Sequence, residues 1–160
     1  MVELVAVIAI VGILFFMAAP GLLSRSAFDS RSYYDQLIST LRYAQKAALA
    51  QHRYVCVTFD ANSRVTLTYT ASAPTSADCA GTSLMSPGGQ AEYVLSPPDG
   101  VTVSITDAGN NPLALPASFS FSPQGRPLIY APPLLSLKQT FTVSGYINPI
   151  IVERETGYVY

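Results

Sequence analysis

The chain has 160 residues, nine basic and ten acidic side chains for a net charge of −1, and 49% hydrophobic residues against 12% charged. Typical soluble proteins carry about 25% charge, so the composition fits a chain that is partly membrane-bound, with room for one modest domain besides. Residues 1–64 hold six of the nine basic groups, while residues 65–160 hold three against six acids (Asp78, Glu92, Asp99, Asp107, Glu153 and Glu155), which argues against a broad phosphate-binding surface.

The chain opens on MVELVAVIAIVGILFFMAA and breaks at Pro20-Gly21. From Leu4 to Ser24 no side chain is charged, a run of 21 residues, enough to cross a hydrocarbon core about 30 Å thick as a helix. The alternative is a buried core helix, but nothing downstream is large or apolar enough to enclose it. Glu3 makes the segment specific. A carboxylate at the edge of an apolar helix is costly unless neutralised or paired. An anchor has no need of it, whereas an assembly can use it against a positive group on a neighbouring copy. The plainer reading is an acid that reaches headgroup water.

Pro20 predicts a kink, with Gly21 and Ser24 loosening the same place, and Asp29 or Ser30 is expected to cap a continued helix. From Arg31 to Gln51 the pattern is amphipathic. Tyr34, Leu37, Ile38, Leu41, Ala44 (or Gln45) and Ala48 form the stripe, with Asp35, Gln36, Ser39, Arg42 and Lys46 mostly off it. This predicts a helix with one face on a sheet. The period then changes. Val55, Val57 and Phe59 alternate with Cys56 and Thr58, and Val65, Leu67 and Tyr69 with Thr66 and Thr68, around a turn at Asp60-Ala-Asn-Ser63: a β-hairpin with Cys56 on the face opposite Val55 and Val57.

Residues Ala71–Gln90 read as a loop. Strands are expected at Glu92–Leu95, Val101–Thr106, Ser118–Ser122, Pro127–Tyr130, Gln139–Ser144, Ile150–Arg154 and Gly157–Tyr160. Turns separate them at Pro97–Gly100, Asp107–Pro112, Pro123–Gly125, Pro132-Pro133 and Glu155–Gly157. The fold expected is α+β: a long N-terminal helix, half membrane or filament core and half amphipathic, packed on a small antiparallel β domain, either a sandwich or two sheets. The divisions are 1–24, 25–52 and 53–160.

Little in the chain suggests catalysis. Cys56 and Cys79 form no CxxC, and the lone His52 completes no zinc set. In an oxidising compartment the two cysteines are expected to form one disulfide, which would tie down the long loop; two unlinked buried thiols are the other reading. His52 ends a helix, Gly88-Gly89 follows Pro87 as a turn, and Glu153 and Glu155 read as a solvated edge. Neither a metal nor a cofactor is expected, and no enzymatic activity.

The stretch VELVAVIAIVGILFFMAAP resembles the N-terminus of type IV pilins and type II secretion pseudopilins, with Val2, Glu3, Leu4, Gly12, Ile13, Leu14 and Pro20 where that pattern wants them. LRYAQKAA running into a hydrophobic strand is similar to minor pilins and pseudopilins of the GspH/FimT type. FDSRSYYDQLISTLRYAQKAALAQ with a cysteine just after it looks most like the minor pilin of mannose-sensitive haemagglutinin pili, and IIVERETGYVY is like that family's last hairpin. The family has a basic leader ending in Gly and an aromatic residue before the acid, whereas this chain begins Met1-Val2-Glu3. Its nearest basic residues, Arg25 and Arg31, follow the apolar run. By charge alone the distal domain would face the cytoplasm, contrary to the family and the cysteines, so a truncated or mis-started N-terminus is expected.

The resemblance implies leader cleavage and N-methylation, an assembly role for Glu3, Leu4, Gly12 and Pro20, and partners among other pilin or pseudopilin subunits, the inner membrane and an assembly platform. It implies a single-pass inner-membrane protein with a periplasmic C-terminal domain that moves to a cell-surface filament. Alternatives are a DNA-binding minor pilin for uptake or a pilus-tip adhesin. In the DNA-binding members a Gly-Arg motif and a second Arg lie near the C-terminal end. Here Gly157 is present, both cations are absent, and Arg154 sits between two glutamates, so nucleic acid is not an expected partner.

Overall fold

The computed structural model describes residues 2–22, 25–74, 79, 81–130 and 135–160, with helical side chains at 2–14 and from 26 onward. Helix α1 (Val2–Leu22) is followed by α2 (Arg25–Gln51). In α1 the large apolar side chains from Val2 to Leu14 are all exposed, on every face of the helix. A helix that is hydrophobic all round requires apolar surroundings on all sides. Among the described residues no helix is long and apolar enough to cross a membrane. The described side chains of α1 end at Leu14, about 20 Å of helix against a core of about 30 Å. The membrane span expected at 1–24 therefore rests on the sequence and not on the described structure. The Pro20 side chain, the 23–24 junction and Pro132-Pro133 lie outside the described residues.

Helix α2 already begins at Arg25, so Asp29 and Ser30 lie inside it rather than capping it. Ser30 instead is buried, and a Cβ at Gly145 would fall 2.7 Å from its Oγ, so it packs against the backbone of a distal loop. The core stripe is Tyr33, Tyr34, Leu37, Leu41, Ala44, Ala47 and Ala48, with Ile38 only partly buried at its edge, so it is wider than the sequence pattern by Tyr33 and Ala47. The helix ends at a left-handed residue, His52 (φ 49°). Arg53 N donates to Ala48 O at 3.3 Å, the six-to-one bond of a Schellman cap.

Two antiparallel sheets share this helix. The larger contains β1 (Tyr54–Phe59), β2 (Val65–Thr70), β3 (Thr82–Ser83), β4 (Tyr93–Leu95), β7 (Ala117–Phe121) and β8 (Pro127–Leu128), in the order β3-β2-β1-β7-β8 with β4 also on β2. The smaller has β5 (Val103–Thr106), β6 (Pro112–Leu113), β9 (Gln139–Val143) and β10 (Ile150–Val152), in the order β10-β9-β5-β6. The predicted hairpin is β1–β2, in register Val55 to Tyr69 and Val57 to Leu67. Stacked or tilted rings of Phe59, Phe119 and Phe141, with centroids 5.4 and 5.7 Å apart, join the two sheets.

Three expectations are corrected. The loop at Ala71–Gln90 contains β3, a two-residue strand too short to leave a pattern. Pro112, read as turn, pairs with Thr106. The segment Gly157–Tyr160 is no regular strand but folds back through a single bridge, Val152 to Val159, with Ile151 N to Tyr160 O at 2.7 Å.

Four tight turns repeat one design, at residues 60–64, 86–90, 107–111 and 122–126. Each first residue accepts backbone N–H on its side-chain oxygen, two groups at Asp60, Asp107 and Ser122 and one at Ser86, and each fourth residue has positive φ. At three turns that fourth residue is Gly or Asn. At the first it is Ser63 (φ 61°), a conformation that disfavours a side chain. Its side chain is used: Ser63 Oγ accepts Val103 N at 3.0 Å, and the Ser63 carbonyl accepts the Tyr33 hydroxyl at 2.7 Å. One buried residue thus joins α2, the β1–β2 turn and β5. Burial, and to a lesser degree the nearby Asp60 carboxylate, pushes the Tyr33 phenol well above its ordinary range. Tyr33→Phe, which leaves the Ser63 carbonyl without this donor, should lower unfolding free energy by about 1–3 kcal/mol, read from the urea midpoint.

Candidate assembly site

Glu3 lies in the first turn of α1, where the positive end of the helix dipole favours a carboxylate. Leu4 is 65% exposed. Gly12 has nothing within 4 Å of a built Cβ, so it leaves a notch in an otherwise bulky rod. Glu3, Leu4 and Gly12 stand on one helix and all three are exposed. Pro20 lies in the same helix.

The two cysteines are bonded to each other, with Cα atoms 5.9 Å apart. Cys56 is central in β1, and the bridge brings Cys79 of the long loop onto the sheet face away from α2. Thr68 Oγ1 donates to the Cys79 carbonyl at 3.2 Å. Next to it Gly81 runs so close that a Cβ would fall 2.6 Å from the Tyr69 carbonyl oxygen. The loop is thus held on β2 at Cys79 and Gly81.

The C-terminal hairpin is fastened to the same helix by Arg42, which the sequence pattern places off the stripe, and by Gln45, which it offers as an alternative to Ala44 on the stripe. Arg42 donates through Nε and Nη2 to the Val159 carbonyl at 3.1 and 3.0 Å. Gln45 Nε2 donates to the Thr156 carbonyl at 2.8 Å. Gly157 (φ 65°) lies against Gly125, where a Cβ would come within 1.8 Å of the Gly125 carbonyl oxygen. The i, i+3, i+4 stripe finds apolar burial only, so a polar clamp of this kind is invisible to it.

The chemistry candidates separate rather than converge. Glu153 accepts the Tyr160 hydroxyl at 2.7 Å. Glu155 accepts Arg154 Nε at 2.8 Å and pairs also with Arg126. The hydrogen bond from Arg154 and the charge of Arg126 hold the Glu155 carboxyl below its usual range. The two acids thus serve different partners, and Glu155 engages both Arg126 and Arg154. Among the described residues no group of three His, Cys, Asp or Glu could hold a metal ion. Gly89 closes its turn with Gly89 N to Ser86 O at 2.9 Å. A shallow groove of about 610 Å³ at the far end of α2 includes Tyr43, Tyr69 and Arg53. There Arg53 lies 5.2 Å over the Tyr69 ring and Tyr43 stacks on Tyr93 at 5.4 Å, so a ring face of each tyrosine is already covered.

This architecture is shared with two solved proteins. The type IV minor pilin FimU of Pseudomonas aeruginosa is 13% identical, with 81% of this chain and 85% of that one aligned at a TM-score of 0.50. The minor pseudopilin EpsH of the type 2 secretion system of Vibrio cholerae is 11% identical, with 82% and 94% aligned at a TM-score of 0.53. At these identities the likeness is one of fold: the chain has the α+β architecture of minor pilins and minor pseudopilins. No protein-family model matches the sequence, and no curated protein does.

Two outcomes follow from the geometry. Reducing the native protein should cost about 3 kcal/mol for a closed loop of this length, read from the urea midpoint, and replacing both Cys56 and Cys79 by Ser should cost at least as much, because both positions are buried and a hydroxyl there is desolvated. Gly157→Ala should destabilise by more than about 1 kcal/mol, because the added methyl meets backbone and the φ is unfavourable; thermal melting reads it.

Proposed function

We propose that the chain is a minor pilin or pseudopilin, a non-enzymatic subunit that joins or primes a type IV pilus-like filament through its N-terminal helix. The observation that carries this reading is the exposure of apolar side chains on every face of α1, joined to a head of minor pilin and pseudopilin fold. Such a rod is stable where other apolar matter surrounds it, which is true of a bilayer and of a bundle of like helices. The uncharged run from Leu4 to Ser24 suits storage in the inner membrane as a single pass, with residues 53–160 outside. Transfer to a filament core then exchanges lipid for sister helices, with an assembly platform and other pilin subunits as partners.

In that core Glu3 accepts a charge-assisted hydrogen bond from a neighbour's N-terminal amine, which neutralises both groups in a low-dielectric setting and sets axial register. Leu4 packs beside it, Gly12 admits a neighbouring side chain, and Pro20 kinks the rod near its end. Uptake of DNA is less well supported, since Glu155 already engages Arg154 and Arg126. A tip adhesin is less well supported too, since the groove tyrosines are already stacked.

Glu3→Ala should leave the protein resistant to carbonate extraction from membranes while its recovery in sheared filaments drops about tenfold or more. This is the loss expected for one charge-assisted hydrogen bond of about 1.5–3 kcal/mol. Undiminished recovery would refute the role of the acid.

A further inference from the structure

The loop between β9 and β10 exposes Ile147 to 95% of its surface, close to the maximum for any side chain. Leaving a residue of this kind in water forgoes the free energy of burying it, and the loop is not a loose one. Tyr146 N donates to Val143 O at 3.1 Å. The Tyr146 ring lies 4.2 Å from that of Tyr34. Its hydroxyl accepts Arg31 Nη1 at 2.7 Å, with the guanidinium 5.1 Å over the ring. Gly145 packs on Ser30. The loop is therefore held firmly against the first turns of α2, and it presents Ile147 outward.

The same end of α2 carries Phe28, 75% exposed, which lines a shallow hollow together with Arg31. Only residues 23–24 separate α2 from α1, so Phe28 stands within about 20 Å of the end of α1 even along extended chain. Whatever medium surrounds α1 is thus close to this end of the head. Tyr and Arg are also the side chains that suit a membrane–water boundary, with an apolar or planar body and a polar tip.

We propose that Phe28 and Ile147, flanked by Tyr146 and Arg31, form a lipid-surface contact through which the head rests on the bilayer before assembly. The inference depends on the reading that α1 is stored in a membrane. The contact is apolar in kind. Arg31 is paired with Asp35 at 2.9 Å, and Asp29 lies beside it in sequence, so no net positive field draws the patch to anionic lipid. Zwitterionic lipid should suffice.

The test uses the full chain in phosphatidylcholine vesicles. Both native cysteines are in the disulfide, so Ile147→Cys and Phe28→Cys each offer one thiol for an environment-sensitive fluorophore. Met85→Cys serves as the reference. Met85 is 59% exposed, and its carbonyl accepts the Tyr43 hydroxyl at 2.6 Å, about 20 Å up α2 from Phe28. The expected result is blue-shifted emission at positions 147 and 28, and quenching by headgroup-region nitroxide lipid severalfold stronger than at position 85. Water-like emission at position 147 from a chain that still resists carbonate extraction would overturn this contact alone. Loss of carbonate resistance would overturn the membrane reading and the contact with it. A label shielded only when a second copy is bound would overturn the lipid assignment and give the patch to subunit packing.

Discussion

A single helix face organises the head. Both sheets present apolar residues inward, and the buried stripe of α2 from Tyr33 to Ala48 packs against both. Neither sheet could shield that face alone: the smaller has only four strands, two of them of two or three residues. The stripe is therefore the surface on which two otherwise marginal sheets become one core. The ring cluster of Phe59, Phe119 and Phe141 then closes the seam between them.

Polar groups decide how the sheets sit on that stripe. Ser63 accepts from Tyr33 on one side and Val103 on the other, so the turn of one sheet is pinned both to the helix and to the first strand of the other. Arg42 and Gln45 do the same for the last hairpin, through carbonyls rather than side chains. Apolar burial sets the strength of the association, while these directional bonds set its register.

The parts of the fold legible in the sequence are those where one period runs long enough to stand out. The α2 stripe and the β1–β2 alternation are of this kind, and both stand where the pattern puts them. The cysteine pair was legible too, because a long Ser, Thr and Gly-rich loop needs a tether. What escaped the pattern is local or polar. Strand β3 has two residues, and Pro112 reads as a breaker although it sits at a strand end. Arg42 looks like a solvent residue and Gln45 only like an alternative to Ala44 on the stripe, yet the donors of both reach a distant backbone. Ser63 looks like an ordinary turn residue, and only three-dimensional neighbours reveal its two bonds. The acid and the notch of α1 are legible as residues, and under the proposed reading what they meet belongs to other molecules.

The attachments along α2 also bear on mechanics. Tyr33, Thr40, Arg42 and Gln45 each bond the helix to the head, spread over about 18 Å of its axis. A pull delivered along that axis loads these bonds side by side, in shear, instead of one after another as in peeling. A head fastened in this way resists being stripped from its own stalk.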